Sequence, residues 1–106
     1  MIGLENYMIG DTVLAYWQPS DAYFVGTAVE KVDTGFIILF EDGDQALVPT
    51  AKIRQYDLDV GSTVIARWND GEYYKGTIAM VVGRAFYIHY DDGDKRWVPL
   101  CWIAVI

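Results

Sequence analysis

The stretch IGDTVLAYW at residues 9–17 lies over VGSTVIARW at 60–68, and FIILFEDGD at 36–44 lies over FYIHYDDGD at 86–94. Between these blocks YFVGT (23–27) matches YYKGT (73–77), and after them Val48-Pro49 matches Val98-Pro99 and Ile53 matches Ile103. A one-residue insertion in the first copy shifts the offset from 51 to 50; the two gap-free blocks hold 5 identities in 9 positions and 12 in 32. A shared hydrophobic pattern alone would not align Gly26 with Gly76, Asp42-Gly43-Asp44 with Asp92-Gly93-Asp94, and Pro49 with Pro99. The chain is therefore an internal duplication, with copy 1 at 9–54, copy 2 at 60–104 and an extension at 1–8.

Within each copy the apolar period is two. Thr63 to Trp68, Tyr73 to Val81 and Phe86 to Tyr90 are short runs rich in Val, Ile and aromatics, bounded by Asn-Asp-Gly, Val-Gly-Arg and Asp-Asp-Gly-Asp, which is the signature of strands. Asp42-Gly43 and Asp92-Gly93 predict tight hairpins of type I′. Pro49 and Pro99 lack an N–H for a ladder and should end their strands. The segments 50–53 and 100–103 suit one 3₁₀ turn that plugs a barrel with Ile53 or Ile103. Four strands plus a short fifth per copy predict an all-β chain of two tandem five-stranded SH3-like barrels. The linker Gln55-Tyr56-Asp57-Leu58-Asp59 is short and neither Gly- nor Ser-rich, so the barrels should pack into one compact body. An exchange of strands between the copies is also compatible with the pattern.

Charge narrows the function. Over 106 residues, 8 Lys and Arg face 15 Asp and Glu, a formal net charge of −7. That field repels polyanions, so no nucleic acid is expected as a partner, and a cationic partner is. Copy 1 has three basic and seven acidic residues and copy 2 has five of each, so copy 1 carries the stronger field. No window of about 20 apolar residues exists for a membrane span, and MIGLENYM has neither the basic region nor the apolar core of a secretory leader. The single cysteine, Cys101, predicts a reduced, intracellular setting, cytoplasmic or, in a eukaryote, nuclear.

The string Gly-x-x-Val-x-Ala-x-Trp at 61–68, Tyr73-Tyr74-x-Gly76-x-Ile78, Phe86-x-Ile88-x-Tyr90-Asp91-Asp92-Gly93-Asp94 and Val98-Pro99-Leu100 resembles a Tudor domain, and residues 9–104 resemble a tandem pair. In that family aromatics closing strands one and three, one before the strand-two Gly, and an acid after strand three form a cage for methylated lysine or arginine. The resemblance places this cage at Trp68, Tyr74, Tyr90 and Asp92 in copy 2, and at Trp17, Phe24, Phe40 and Asp42 in copy 1. Many such cages carry another aromatic after the turn Gly, where this chain has Asp44 and Asp94. Trp97 is placed to supply the missing wall in copy 2, and its counterpart Leu47 is not. The two Phe of copy 1 lack a polar handle for a wet rim, which makes copy 2 the expected site.

The physics of such a cage does not depend on family. A methylated ammonium keeps its charge and loses N–H donors, so water holds it less well and aromatic faces compete for it. Three rings at about 0.5–2 kcal/mol each, with a carboxylate, give a Kd between about 1 mM and about 40 µM. The expected partners are a cationic or methylated peptide or a small cation. The alternative is a structural or interaction protein that self-associates through aromatic surfaces and its apolar ends, MIGLENYM and Cys101 to Ile106.

Other chemistry finds no pattern. The Asp-Gly-Asp loops lack the twelve-residue spacing and closing Glu of a calcium loop, so no metal or other cofactor is expected. His89 is the only histidine, mid-strand between Ile88 and Tyr90, and reads as a sheet-face residue rather than a base. Cys101 beside Trp102 reads as a small hydrophobe. No catalytic residue is assigned.

Overall fold

The structure, a computed structural model, describes residues 6–106. Copy 1 forms β1 (Thr12–Trp17), β2 (Ala22–Val32), β3 (Gly35–Phe40), β4 (Gln45–Pro49) and β5 (Ile53–Gln55). Copy 2 forms β6 (Thr63–Arg67), β7 (Tyr73–Val82), β8 (Ala85–Tyr90), β9 (Lys95–Pro99) and β10 (Ile103–Val105). The helical content of the described residues is three 3₁₀ turns, Gln18–Ser20, Thr50–Lys52 and Leu100–Trp102. The chain is all-β, with two five-stranded barrels in one body. The last two turns directly follow Pro49 and Pro99, and they deliver Ile53 and Ile103 to the two cores as predicted.

The repeat extends to irregularities that the period-two pattern does not show. Each copy interrupts its long second strand with a bulge, at Val29 between Ala28 and Glu30 and at Ala79 between Ile78 and Met80. Such an insertion sharpens the twist and lets one strand serve both halves of a small barrel. Gly76 is required by close approach, since a Cβ there would sit 2.8 Å from both the His89 carbonyl oxygen and Ile88 Cγ2. Gly26 is hemmed in the same way by Ile38 and Leu39.

The hairpin turns differ from the type expected. Gly43 and Gly93 both have φ of 97°, but Asp42 and Asp92 do not join them at positive φ, as type I′ would require. Phe40 N–H donates to the Asp44 carbonyl and Gly43 N–H to the Phe40 carbonyl. This is a three-residue loop closed by a left-handed glycine. Asp42 Oδ1 stabilises it by accepting the Asp44 N–H at 3.0 Å, and Asp92 does the same for Asp94 at 2.9 Å.

Among the described residues no strands are exchanged. β5 pairs with β1, and β10 pairs with β6 through Ile103↔Ala66 and Ala104↔Ile65. β10 pairs in addition with β2 of copy 1, through Ala104↔Phe24 and Val105↔Tyr23, so a single sheet runs through both barrels. The apolar C-terminal run is thus the seam of the molecule.

Two cores result. Copy 1 packs Val13, Ala15, Ala28, Phe36, Ile38, Phe40, Val48 and Ile53. The core of copy 2 takes in Leu14 and Val25 from copy 1, with Tyr56 and Leu58 of the linker against it. Leu14 and Val25 point out of their own barrel and into its neighbour, which explains a divergence between the copies: Val25 aligns with Lys75, Leu100 with Thr50, and Ala104-Val105 with Arg54-Gln55. At these positions the docking residue is apolar and its counterpart in the other copy polar, whereas Leu14 aligns with Ile65, which is apolar and half-buried beside β10. The radius of gyration is 14.0 Å with extents of 44 × 29 × 22 Å, slightly longer than the roughly 13 Å of a compact chain this size.

Of the extension at 1–8, residues 1–5 lie outside the described residues. Tyr7 packs edge-on to Phe36 and donates to the Ile53 carbonyl at 3.0 Å, so this segment is bound to barrel 1.

Candidate functional site

Trp17 ends β1, Phe24 lies on β2, Phe40 ends β3, and Asp42 follows in the turn. Their side chains line one cavity of about 90 Å³. The Trp17 and Phe40 rings meet edge to face at 5.3 Å, with Phe40 buried as the floor. Copy 2 closes this cavity. Tyr73, the first residue of β7, sets its ring perpendicular to Phe24 at 5.8 Å, and Cys101 adds its half-buried side chain to the wall. The copy 1 residues therefore form a pocket at the barrel junction with four aromatic walls, the fourth contributed by the other copy.

The carboxylates around it are not equivalent. Glu41 pairs with Arg84 of copy 2, which offsets its charge. Asp42 uses Oδ1 for the turn, and its second oxygen has no hydrogen bond among the described residues. Burial pushes the Tyr73 hydroxyl above the ordinary phenol range, against a pull from Arg67 and with smaller upward pushes from Cys101 and Asp42.

In copy 2, Trp68, Tyr74, Tyr90 and Asp92 line a separate and wider cavity of about 220 Å³, with Asp70 and Asp94. Trp68 and Tyr90 are edge to face at 5.2 Å, and Tyr90 is buried with its hydroxyl donating to the Arg67 carbonyl at 3.0 Å. Tyr74 stands at the rim and donates to Asp70 Oδ2 at 2.6 Å. That bond holds the Asp70 carboxyl below its ordinary range, helped by the Glu72 N–H, and raises the Tyr74 phenol. Tyr73 and Tyr74 are neighbours on one strand, and neighbouring side chains point to opposite faces, so one dipeptide serves both cavities.

Trp97 does not supply a wall. It stacks on Tyr87 at 5.0 Å on the outer sheet face, where His89 also meets Tyr87 at 5.4 Å. Residue 97 alternates away from the barrel mouth, as the pairing Tyr87↔Trp97 dictates. Among the described residues no three His, Cys, Asp or Glu side chains are grouped to hold a metal ion.

Sequence reasoning missed Tyr73, Cys101 and Asp70. Tyr73 and Cys101 reach the site only through packing between copies, and the pertinent signal was the Val25 to Lys75 divergence, which marks the docked face.

No family model and no curated protein matches the chain. Among solved structures, the crystal structure of the Crb2 tandem tudor domains superposes with a TM-score of 0.66 at 16% identity, covering 98% of this chain and 83% of that one. The ADCP1 tandem Agenet domain 3-4 gives 0.46 at 17% identity over 94% of this chain and 80% of that one. AGDP1 AGD34 of Arabidopsis thaliana gives 0.48 at 16% identity over 94% and 82%. The first of these, with the duplicated barrels and their shared sheet, establishes that this chain has the tandem Tudor-like fold.

Proposed function

We propose that the chain is a non-catalytic binding module for a cationic side chain, a methylated lysine or arginine of a peptide or a small quaternary amine, received in the junction pocket. The observation that carries this is the closure of four rings, Trp17, Phe24, Phe40 and Tyr73, over one cavity beside Asp42. Ring faces favour a cation that has lost its water, and the carboxylate supplies the counter-charge. The same account makes the junction pocket, rather than the copy 2 pocket favoured by sequence, the principal site. Phe24 needs no polar handle there because Tyr73 of the second barrel packs against it, and Phe40 needs none because it is buried in the core of its own barrel. The expected Kd is on the order of 0.1 mM, the scale set by a few ring faces.

The test is an NMR titration with paired peptides carrying trimethylated or unmodified lysine. The trimethylated peptide should shift the Trp17 indole signal saturably and the unmodified one more weakly. Equal shifts from both, or none at millimolar concentration, would refute the reading.

One observation favours a second reading, that of a surface joining proteins. Met80, Tyr87 and Trp97 face one another across β7, β8 and β9 on the outer sheet, with Met80 and Trp97 exposed. Self-association through this row would appear in sedimentation as a concentration-dependent mass, abolished by Trp97→Glu.

A further inference from the structure

Trp17 separates two hollows. On one side is the junction pocket; on the other is a groove of about 210 Å³ lined in part by Gln18, Ala46, Pro49 and Lys52. The counterparts of these four in copy 2 are Asn69, Arg96, Pro99 and Trp102. There the groove is filled. The Arg96 guanidinium lies 5.3 Å from the Trp68 ring centre and 5.3 Å from that of Trp102, and it donates to Asn69 Oδ1. Its Nε–H also points to the Trp97 carbonyl at 3.4 Å. Arg96 thus lies over the Trp68 ring without lining the copy 2 pocket, to which Trp68 also belongs.

We propose that Arg96 is a specificity-determining residue: an internal cation, held against the rear of Trp68, that weakens cation binding in the copy 2 pocket and leaves the junction pocket as the principal site. The proposal rests on the cation-binding reading above. An indole attracts a cation through the negative charge of its face, and a guanidinium on one face opposes a second cation on the other by direct repulsion. With the guanidinium 5.3 Å from the ring centre and a second cation at about the same distance on the opposite face, the two charges would be about 10 Å apart, near the screening length at 0.1 M salt. At that distance and an effective dielectric of roughly 40 to 80 the repulsion lowers affinity about twofold to fourfold. The charge of Arg96 already reaches this pocket, since it draws the Tyr90 phenol down against the larger upward push of burial. Ala46 puts no guanidinium over Trp17, and the cation of that groove, Lys52, lies over the neighbouring Tyr16 ring instead, 4.7 Å from its centre.

The experiment titrates the intact chain with tetramethylammonium and follows the Trp68 and Trp17 indole signals, one per pocket, in wild type and in Arg96→Met, Arg96→Gln and Arg96→Lys. Met keeps the aliphatic stem, Gln keeps the reach toward Asn69, and Lys keeps a charge over the ring. The expected result is about twofold to fourfold tighter binding at Trp68 in the Met and Gln variants, wild-type behaviour in the Lys variant, and an unchanged Trp17 site in all, which also reports intact folding. Trp68 binding that is unchanged or weaker in both neutral variants overturns the proposal, as does a Lys variant that tightens as much as Met. Shifts at neither tryptophan in any variant would defeat the cation-binding reading itself, a separate outcome.

Discussion

Tyr73 carries the largest functional burden of any single residue in this account, because it brings the second barrel to the first barrel's pocket. Tyr73→Ala should weaken cation binding at Trp17 about fivefold or more, the value of one ring face, and Tyr73→Phe should retain it. Titration followed at Trp17 checks both. Gly76→Ala forces a methyl against the His89 carbonyl and Ile88, and should cost about 1–3 kcal/mol by overpacking, read from denaturant midpoints. Gly93→Val should cost about 1 kcal/mol or more, because a β-branched side chain is strained at φ of 97°. The tyrosines set an alkaline limit. Tyr73 and Tyr90 have folded pKa values raised above the ordinary 10.0, chiefly by burial. The fold thus favours their protonated forms. This contribution is complete below pH 10.0 and is lost as pH rises through the raised values. Thermal melts should therefore fall on the alkaline side, and Tyr73→Phe with Tyr90→Phe should flatten that fall.

At the scale of elements, the seam depends on β10 and on the side chains that leave copy 1 for the core of copy 2. Val25 is 2% exposed, and its counterpart in the repeat is Lys75. Val25→Lys buries an unpaired ammonium and should destabilise by several kcal/mol. The converse change, Lys75→Val, faces water and should alter the midpoint by less than about 0.5 kcal/mol. How legible the fold was follows the same division. The strands, their ends at Pro49 and Pro99 and the Ile53 and Ile103 plugs all follow from local pattern and covalent constraint. The turn type was misread because Asp-Gly fits both a two-residue turn and a three-residue loop, and the position of Phe40 opposite Asp44 decides between them. Within each copy the aromatic sets are brought together by strand alternation, which sequence encodes. Tyr73 in the junction pocket was not legible, because the pairing of β10 with β2 joins residues about 80 positions apart and no local rule sets it.

For the whole molecule, the central claim is that two barrels share one sheet and that their junction is the binding pocket. The measurement that tests it most directly is a titration of the intact chain with a trimethyl-lysine peptide, following Trp17 of barrel 1 and Tyr73 of barrel 2 together by NMR. The account predicts that both signals shift along one isotherm with a single Kd, and that Tyr73→Ala weakens the binding seen at Trp17 about fivefold or more. Shifts at Trp17 that persist without Tyr73 moving, or a Tyr73→Ala variant that binds as the wild type does, would contradict it.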